Sequence, residues 1–205
     1  MSRRLLIALS APLCLGLLGL AITACGTRED AGEDPAGAPD KPERRVTELT
    51  EPREALSQEL MLALALAQNH HHKADVYLAD ARVEEAMAEV RQILHIRFPE
   101  GSPEGEDVKL DARARLGKLL VTQGELDEAM AVVDAGISSA SRPSFFLGNL
   151  HTVRGEVWEA RAATLEEEDP DAARQARREA LLSYERAIEI EKPLQEELMR
   201  RRKAP

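Results

Sequence analysis

The sequence predicts an all-α protein. Three observations carry that expectation. From Thr50 onward Ala, Leu, Glu, Arg, Gln and Met dominate, all good helix formers. No β-branched alternation of strand type occurs anywhere along the chain. Short breaks at "DAR", "PEGSPEGE", "QGE", "SSASRPS" and "EEEDPD" divide the sequence into segments of helical length.

Ahead of that helical region stand two segments of different character. Arg3 and Arg4 precede the apolar run "LLIALSAPLCLGLLGL", which ends in small residues and Cys25, with polar sequence beyond. A basic start, an apolar centre and a small-residue stop are the layout of a secretory signal segment. Leu5 to Cys25 is also nominally long enough to span a bilayer, so hydrophobicity alone leaves a retained membrane anchor, or unmodified secretion, as alternatives. Ile22, Thr23, Ala24 and Cys25 resemble the lipobox of bacterial lipoproteins. The resemblance implies cleavage before Cys25, a thioether-linked lipid on its thiol and several acyl chains, palmitate among them, which hold a protein far more firmly than one chain does. Gly26 follows where many inner-membrane lipoproteins carry Asp, which implies an outer-membrane location, most simply facing the periplasm.

Processing of this kind leaves 181 residues with a formal charge of −12, against −10 for the full 205. That is enough chain for one domain with a real core. It is too acidic to suggest a nucleic-acid surface. Cys14 is lost with the signal segment and Cys25 is consumed by lipid, so neither of the two cysteines remains for a disulfide, a metal or nucleophilic attack. Residues 1–24 are thus expected as signal segment and 25–49 as lipidated cysteine and tether. From Gly26 to about Arg45, "GTREDAGEDPAGAPDKPERR" has Pro, Gly and charge without apolar periodicity, the composition of a disordered linker. A helical domain over 50–198 and a basic tail over 199–205 complete the layout.

Within the domain, Thr50 is placed to cap a first helix over 52–79, with Pro52 tolerated in its first turn. Further helices are expected at 83–97, 107–122, 126–139, 144–168 and 171–191. "MRRRKAP", from Met199, is expected to fray. Its basic residues suit a helix C-terminus and could equally meet anionic lipid.

A unit recurs along these helices. "LGKLLVTQGELDEAMAVVDAGI" places Gly117 where one helix can approach its partner, Gly124 at a tight turn and Ala129 where the second helix crosses the first. This resembles the tetratricopeptide (TPR) repeat, a helix-turn-helix of about 34 residues. An earlier copy, "KADVYLADARVEEAMAEVRQILHI", carries Ala74, Tyr77 and Ala86 at matching positions, with Ala81 in place of the turn glycine. Ala86 and Ala129 lie 43 residues apart, an excess assigned to a loop from Pro99 to Asp107. That period also fits HEAT-type pairs, while the "GELDEA" turn favours TPR. A third, stretched copy gives Gly155 and Trp158 first-helix roles, and Ala180, Tyr184, Ala187 and Pro193 second-helix roles. Three pairs are about the minimum for a stable stack.

No constellation for catalysis stands out, and an enzyme is not expected. His70, His71 and His72 are consecutive, so on a helix they fan through about 200° and cannot all face one metal. His71 and Asp75 are spaced for a local pair. His95 and His151 are lone histidines among apolar neighbours, expected to pack. Ser138, Ser139 and Ser141 have no matched base, and the acidic clusters lack fixed geometry. No cofactor and no metal site are expected.

Binding is the expected role. The TPR resemblance implies that first helices line a concave face, which places Gln68, His71, Asp75, Leu78 and Ala79 there in the first copy. In the second it places Asp111, Ala114, Lys118, Val121 and Thr122. Of these, His71, Asp75, Leu78, Lys118, Val121 and Thr122 are the candidate partner-binding residues. The repeated Lys and Asn of chaperone-binding relatives are absent from these positions. TPR lipoproteins include pilotins and components of gliding and secretion machinery. The implied function is therefore a membrane-anchored adaptor or assembly factor for an envelope protein of a pilus, motility or secretion machine. The alternative is a periplasmic binder of peptides or cell-wall fragments.

Overall fold

The computed structural model describes residues 57–203. Six helices occupy nearly all of them: α1 (Gln58–Ala79), α2 (Val83–His95), α3 (Pro103–Gln123), α4 (Leu126–Ser139), α5 (Phe145–Leu165) and α6 (Pro170–Lys203). Among the described residues there is no strand, and no helix is long and apolar enough to cross a membrane. Cys25, the signal segment, the linker, Thr50 and Pro52 lie outside the described residues.

Local chemistry sets the helix starts. Ser57 accepts from Leu60 N–H and Ser144 from Leu147 N–H, both at 3.2 Å, and Asp169 accepts from Ala172 N–H at 2.9 Å. Each satisfies a donor that the first turn leaves without a helical partner. α3 begins four residues earlier than the sequence suggests. Pro103 occupies its first turn, where a missing N–H costs nothing, and Gly105 is buried so closely against Phe98 that a Cβ there would stand 2.5 Å from Phe98 Cβ. The supposed loop is therefore mostly helix.

The first two hairpins share one turn. Glu125 N–H donates to Leu120 C=O at 2.9 Å across Gly124, which sits at φ 77°; Arg82 N–H donates to Tyr77 C=O at 2.8 Å across Ala81, at φ 56°. Both are left-handed helix stops, comfortable for glycine and strained for alanine. Ala74 and Gly117, then Ala86 and Ala129, are all buried at corresponding places. A Cβ on Gly117 would stand 2.8 Å from Val133 Cγ2 and 3.1 Å from Val153 Cγ1, with the Ala129 carbonyl at 3.9 Å. Gly117 thus seats α4 and α5 together.

Helices pack as hairpin pairs: α1 with α2, α3 with α4, α5 with α6. α3 rests on both members of the first pair and α5 on both members of the second, while α6 touches α5 alone. Met87, Val90 and Ile93 of α2, Leu116 and Leu120 of α3, and Val157 of α5 form one buried cluster with the small α1 residues Ala63, Ala67 and Ala74. A second cluster joins Leu110 and Ala114 of α3 to Val133, Leu150 and Val153. Each large aliphatic side chain so buried contributes about 1.5–3 kcal/mol. Ala114, expected on the open face, is 1% exposed within this second cluster.

The last helix runs on through Lys203, so the basic tail does not fray at Met199. Pro193 lies inside α6 and does not end it. It removes one backbone donor, where the helix has little packed against it.

Candidate site on the first-helix face

Three consecutive histidines on α1 point three ways, as a rotation of about 100° per residue requires. His70 turns to α2, its Nδ1 2.7 Å from Glu89 Oε2, a carboxylate that Lys73 also holds. His72 faces solvent. His71 turns to α3 and meets Arg115.

Arg115 organises this junction. Its Nη2 donates to Asp75 Oδ1 at 2.5 Å and its Nη1 to His71 Nδ1 at 3.1 Å. A ring nitrogen that accepts from a guanidinium is unprotonated, so the His71 proton sits on Nε2, facing Asp111 Oδ2 at 3.7 Å. Burial, with the Arg115 charge adding to it, holds His71 below the ordinary imidazole pKa against the pull of Asp111 and Asp75. The local His71–Asp75 pair anticipated from spacing is thus replaced by a bridge from the neighbouring hairpin.

The same face continues along the stack. Lys118 of α3 lies 3.5 Å from Glu156 of α5, and Glu159, one turn on, accepts from the Tyr184 hydroxyl of α6 at 2.7 Å. Burial first, then Glu159, raises the Tyr184 pKa well above its usual value. Asp75 on α1, Arg115 and Lys118 on α3, and Glu156 and Glu159 on α5 therefore make a strip whose charge changes sign from helix to helix.

Of the anticipated residues, Gln68, Asp75, Ala79, Lys118 and Thr122 are exposed, and Thr122 donates to Leu119 C=O at 2.6 Å. His71 and Asp111 are half-buried in the strip. Leu78 and Val121 are not part of the exposed strip: both are partly buried against the first apolar cluster, where they support it from below. Arg115, Glu156 and Glu159 were not anticipated. The first was legible, because Asp111, Arg115, Lys118 and Thr122 form one polar stripe at helical spacing beside the apolar stripe Leu110, Ala114, Gly117 and Val121.

A second feature lies off the strip. Leu126, Asp127, Trp158, Arg161, Leu165 and Ala176 line an open cleft of about 810 Å³ between α4, α5 and α6. Arg161 stacks on the Trp158 ring at 5.0 Å and donates to Asp127 at 2.6 Å. Among the described residues no group of three His, Cys, Asp or Glu side chains is arranged to hold a metal ion. Comparison of the chain with protein-family models, with curated proteins and with solved structures gave no match.

Proposed function

We propose that this protein is a lipid-anchored, TPR-like interaction protein of the bacterial envelope that binds a protein partner along the first-helix face. It performs no chemistry of its own. The observation that carries the reading is the strip from Asp75 and Arg115 to Lys118 and Glu156, which lies across three hairpins stacked in an open row. Helical stacks of this kind offer long faces suited to an extended segment or helix of a partner. Charge that changes sign from helix to helix sets register and discourages wrong partners more than it adds affinity. The lipobox-like "ITAC" supports anchoring through Cys25 at the outer membrane, and confinement to one surface raises the effective concentration of a membrane-associated assembly component.

The TPR relationship rests on the shared turn and on the small residues at the helix crossings. α3 has 21 residues and α4 14, so this hairpin alone already exceeds a unit of about 34. The long period therefore arises from long helices more than from an inserted loop.

Two experiments test the reading. Metabolic labelling with a fatty-acid analogue tags the wild type and misses Cys25→Ser; equal labelling of both contradicts the anchor. Crosslinking in native envelopes followed by mass spectrometry compares wild type with Lys118→Glu, which sets like charges opposite each other at Glu156. A partner lost from the variant, with thermal stability kept, supports the face. A partner recovered in full moves the contact elsewhere. One observation favours the alternative of a peptide or cell-wall-fragment binder, namely the cleft in which Trp158 and Arg161 stack beside Asp127. Saturable binding of a small ligand, abolished by Trp158→Ala and accompanied by no crosslinked protein, would establish it.

A further inference from the structure

The register of the last hairpin leaves the end of α6 without a neighbour. A Cβ on Gly148 of α5 would meet Glu191, and one on Gly155 would meet Tyr184. Seven residues along α5 match seven along α6 in the opposite sense. Continuing that register sets Phe145, the first residue of α5, opposite Leu194. Gln195 to Lys203 therefore project beyond α5, roughly 13 Å of helix at about 1.5 Å per residue. No other helix among the described elements touches α6.

Apolar and basic side chains meet on and just before this projection, which also carries the acids Glu196 and Glu197. Phe145, Ile188, Leu194 and Leu198 line one open hollow, with Leu198 67% and Phe145 63% exposed. Met199 is exposed beside them. Arg200, Arg201, Arg202 and Lys203 follow in the last turn. Arg200 and Arg201 both pair with Glu197, whereas Arg202 and Lys203 make no ion pair among the described residues. Gln195, Leu198, Met199 and Arg202 recur at helical spacing on one face. Cations near a helix C-terminus complement its dipole, but that does not account for exposed Leu, Met and Phe next to them.

Topology fixes which way the projection points. Glu59 near the start of α1 and Pro99 after α2 line one hollow, and Pro99 lines another with Ser141, just before α5. The start of α1 and the end of α6 thus lie along the same edge of the row, although the two helices stand at its opposite ends, and the described fold begins at that edge.

We propose that the end of α6, from Ile188 to Lys203 together with Phe145, is a second membrane contact that seats on anionic phospholipid. Apolar side chains enter the headgroup boundary while the guanidiniums stay with the phosphates. Each basic residue near such a surface adds an attraction that falls off within a Debye length. The inference rests on the lipid-anchored reading in one respect: the anchor supplies the proximity.

The full chain, natively processed and reconstituted into vesicles, provides the test. A Cys14→Ala parent takes no thiol-reactive dye if Cys25 is acylated; Met199→Cys in that parent takes one polarity-sensitive fluorophore. In phosphatidylethanolamine vesicles containing phosphatidylglycerol, its emission shifts to the blue and rises several-fold over that in vesicles of phosphatidylethanolamine alone. The shift disappears in about 0.5 M salt, where screening is strong. It disappears also in Arg200→Glu, Arg201→Glu, Arg202→Glu, which still floats with the vesicles. Equal emission with and without phosphatidylglycerol overturns the proposal. A shift that follows protein concentration instead of lipid charge also overturns it and assigns the face to a second copy of the chain. Dye uptake by the parent contradicts the anchor instead, and the emission difference between Met199→Cys and parent still reads the helix.

Discussion

Arg115 on α3 closes on Asp75 of α1 across 40 residues of sequence, its Nη2 2.5 Å from Oδ1. The guanidinium is three-quarters buried while the carboxylate is largely exposed, so the pair contributes no more than about 1 kcal/mol to folding. Its larger effect falls on His71, which loses a nearby positive charge when Arg115 is removed. Arg115→Ala is therefore expected to raise the His71 pKa with little change in thermal midpoint, as read by NMR titration of the ring proton. An unchanged titration would show that Arg115 does not face the imidazole.

Stability should fall on mild acidification. His71 and His151 are both held below the ordinary imidazole pKa, burial being the first cause in each. Below about pH 6.5 the unfolded chain binds protons that the folded chain resists, so folding free energy is lost as the pH drops through and below that value. Glu89 and Glu106, held below the carboxylate range by Lys73 and Ser141 first, add their losses only at lower pH. Denaturation midpoints at pH 7.5 and about 5.5 should differ in the wild type and converge in His71→Gln, His151→Gln. A wild-type curve flat over that interval contradicts the buried, neutral histidines.

Close helix crossings should resist added volume. A Cβ on Gly155 would stand 2.5 Å from Tyr184 Cε1, so Gly155→Ala forces the ring away and costs about 1–3 kcal/mol. Tyr184→Phe keeps the ring and removes only the bond to Glu159, with a smaller loss. Ala129→Leu and Ala114→Leu should both be costly, since both alanines are buried. Calorimetry that found Gly155→Ala silent would contradict the α5–α6 register.

The turn at Ala81 offers a gain. An alanine at φ 56° carries roughly 1–2 kcal/mol of strain that glycine avoids. Ala81→Gly should raise the thermal midpoint despite the added freedom of its unfolded chain. A lower midpoint would show that the left-handed stop is not strained.

Helix number and order, the turns at Ala81 and Gly124 and the small residues at crossings were legible because each is written in local sequence. The α3 start was not, because Gly105 reads as loop until Phe98 is seen to need the space. Nor was the far end of α6, where Pro193 reads as a stop that the helix passes through. On the first-helix face, the TPR resemblance placed Asp75, Lys118 and Thr122 at positions that are exposed, whereas it put Ala114 where Arg115 stands, one position along. That single step of about 100° exchanges a core stripe for a solvent-facing one. Glu156 and Glu159 were missed because the third hairpin has a different length, so the positions of the second could not be carried onto it.

The central claim is that the first-helix face receives a protein partner, and site-specific photocrosslinking in intact cells tests it most directly. A photoreactive residue at Gln68 or Thr122, both exposed on that face, should give an adduct with one and the same protein. The same residue at Ala88, exposed on α2, should give none. An adduct from Ala88 with none from Gln68 and Thr122 would contradict the account.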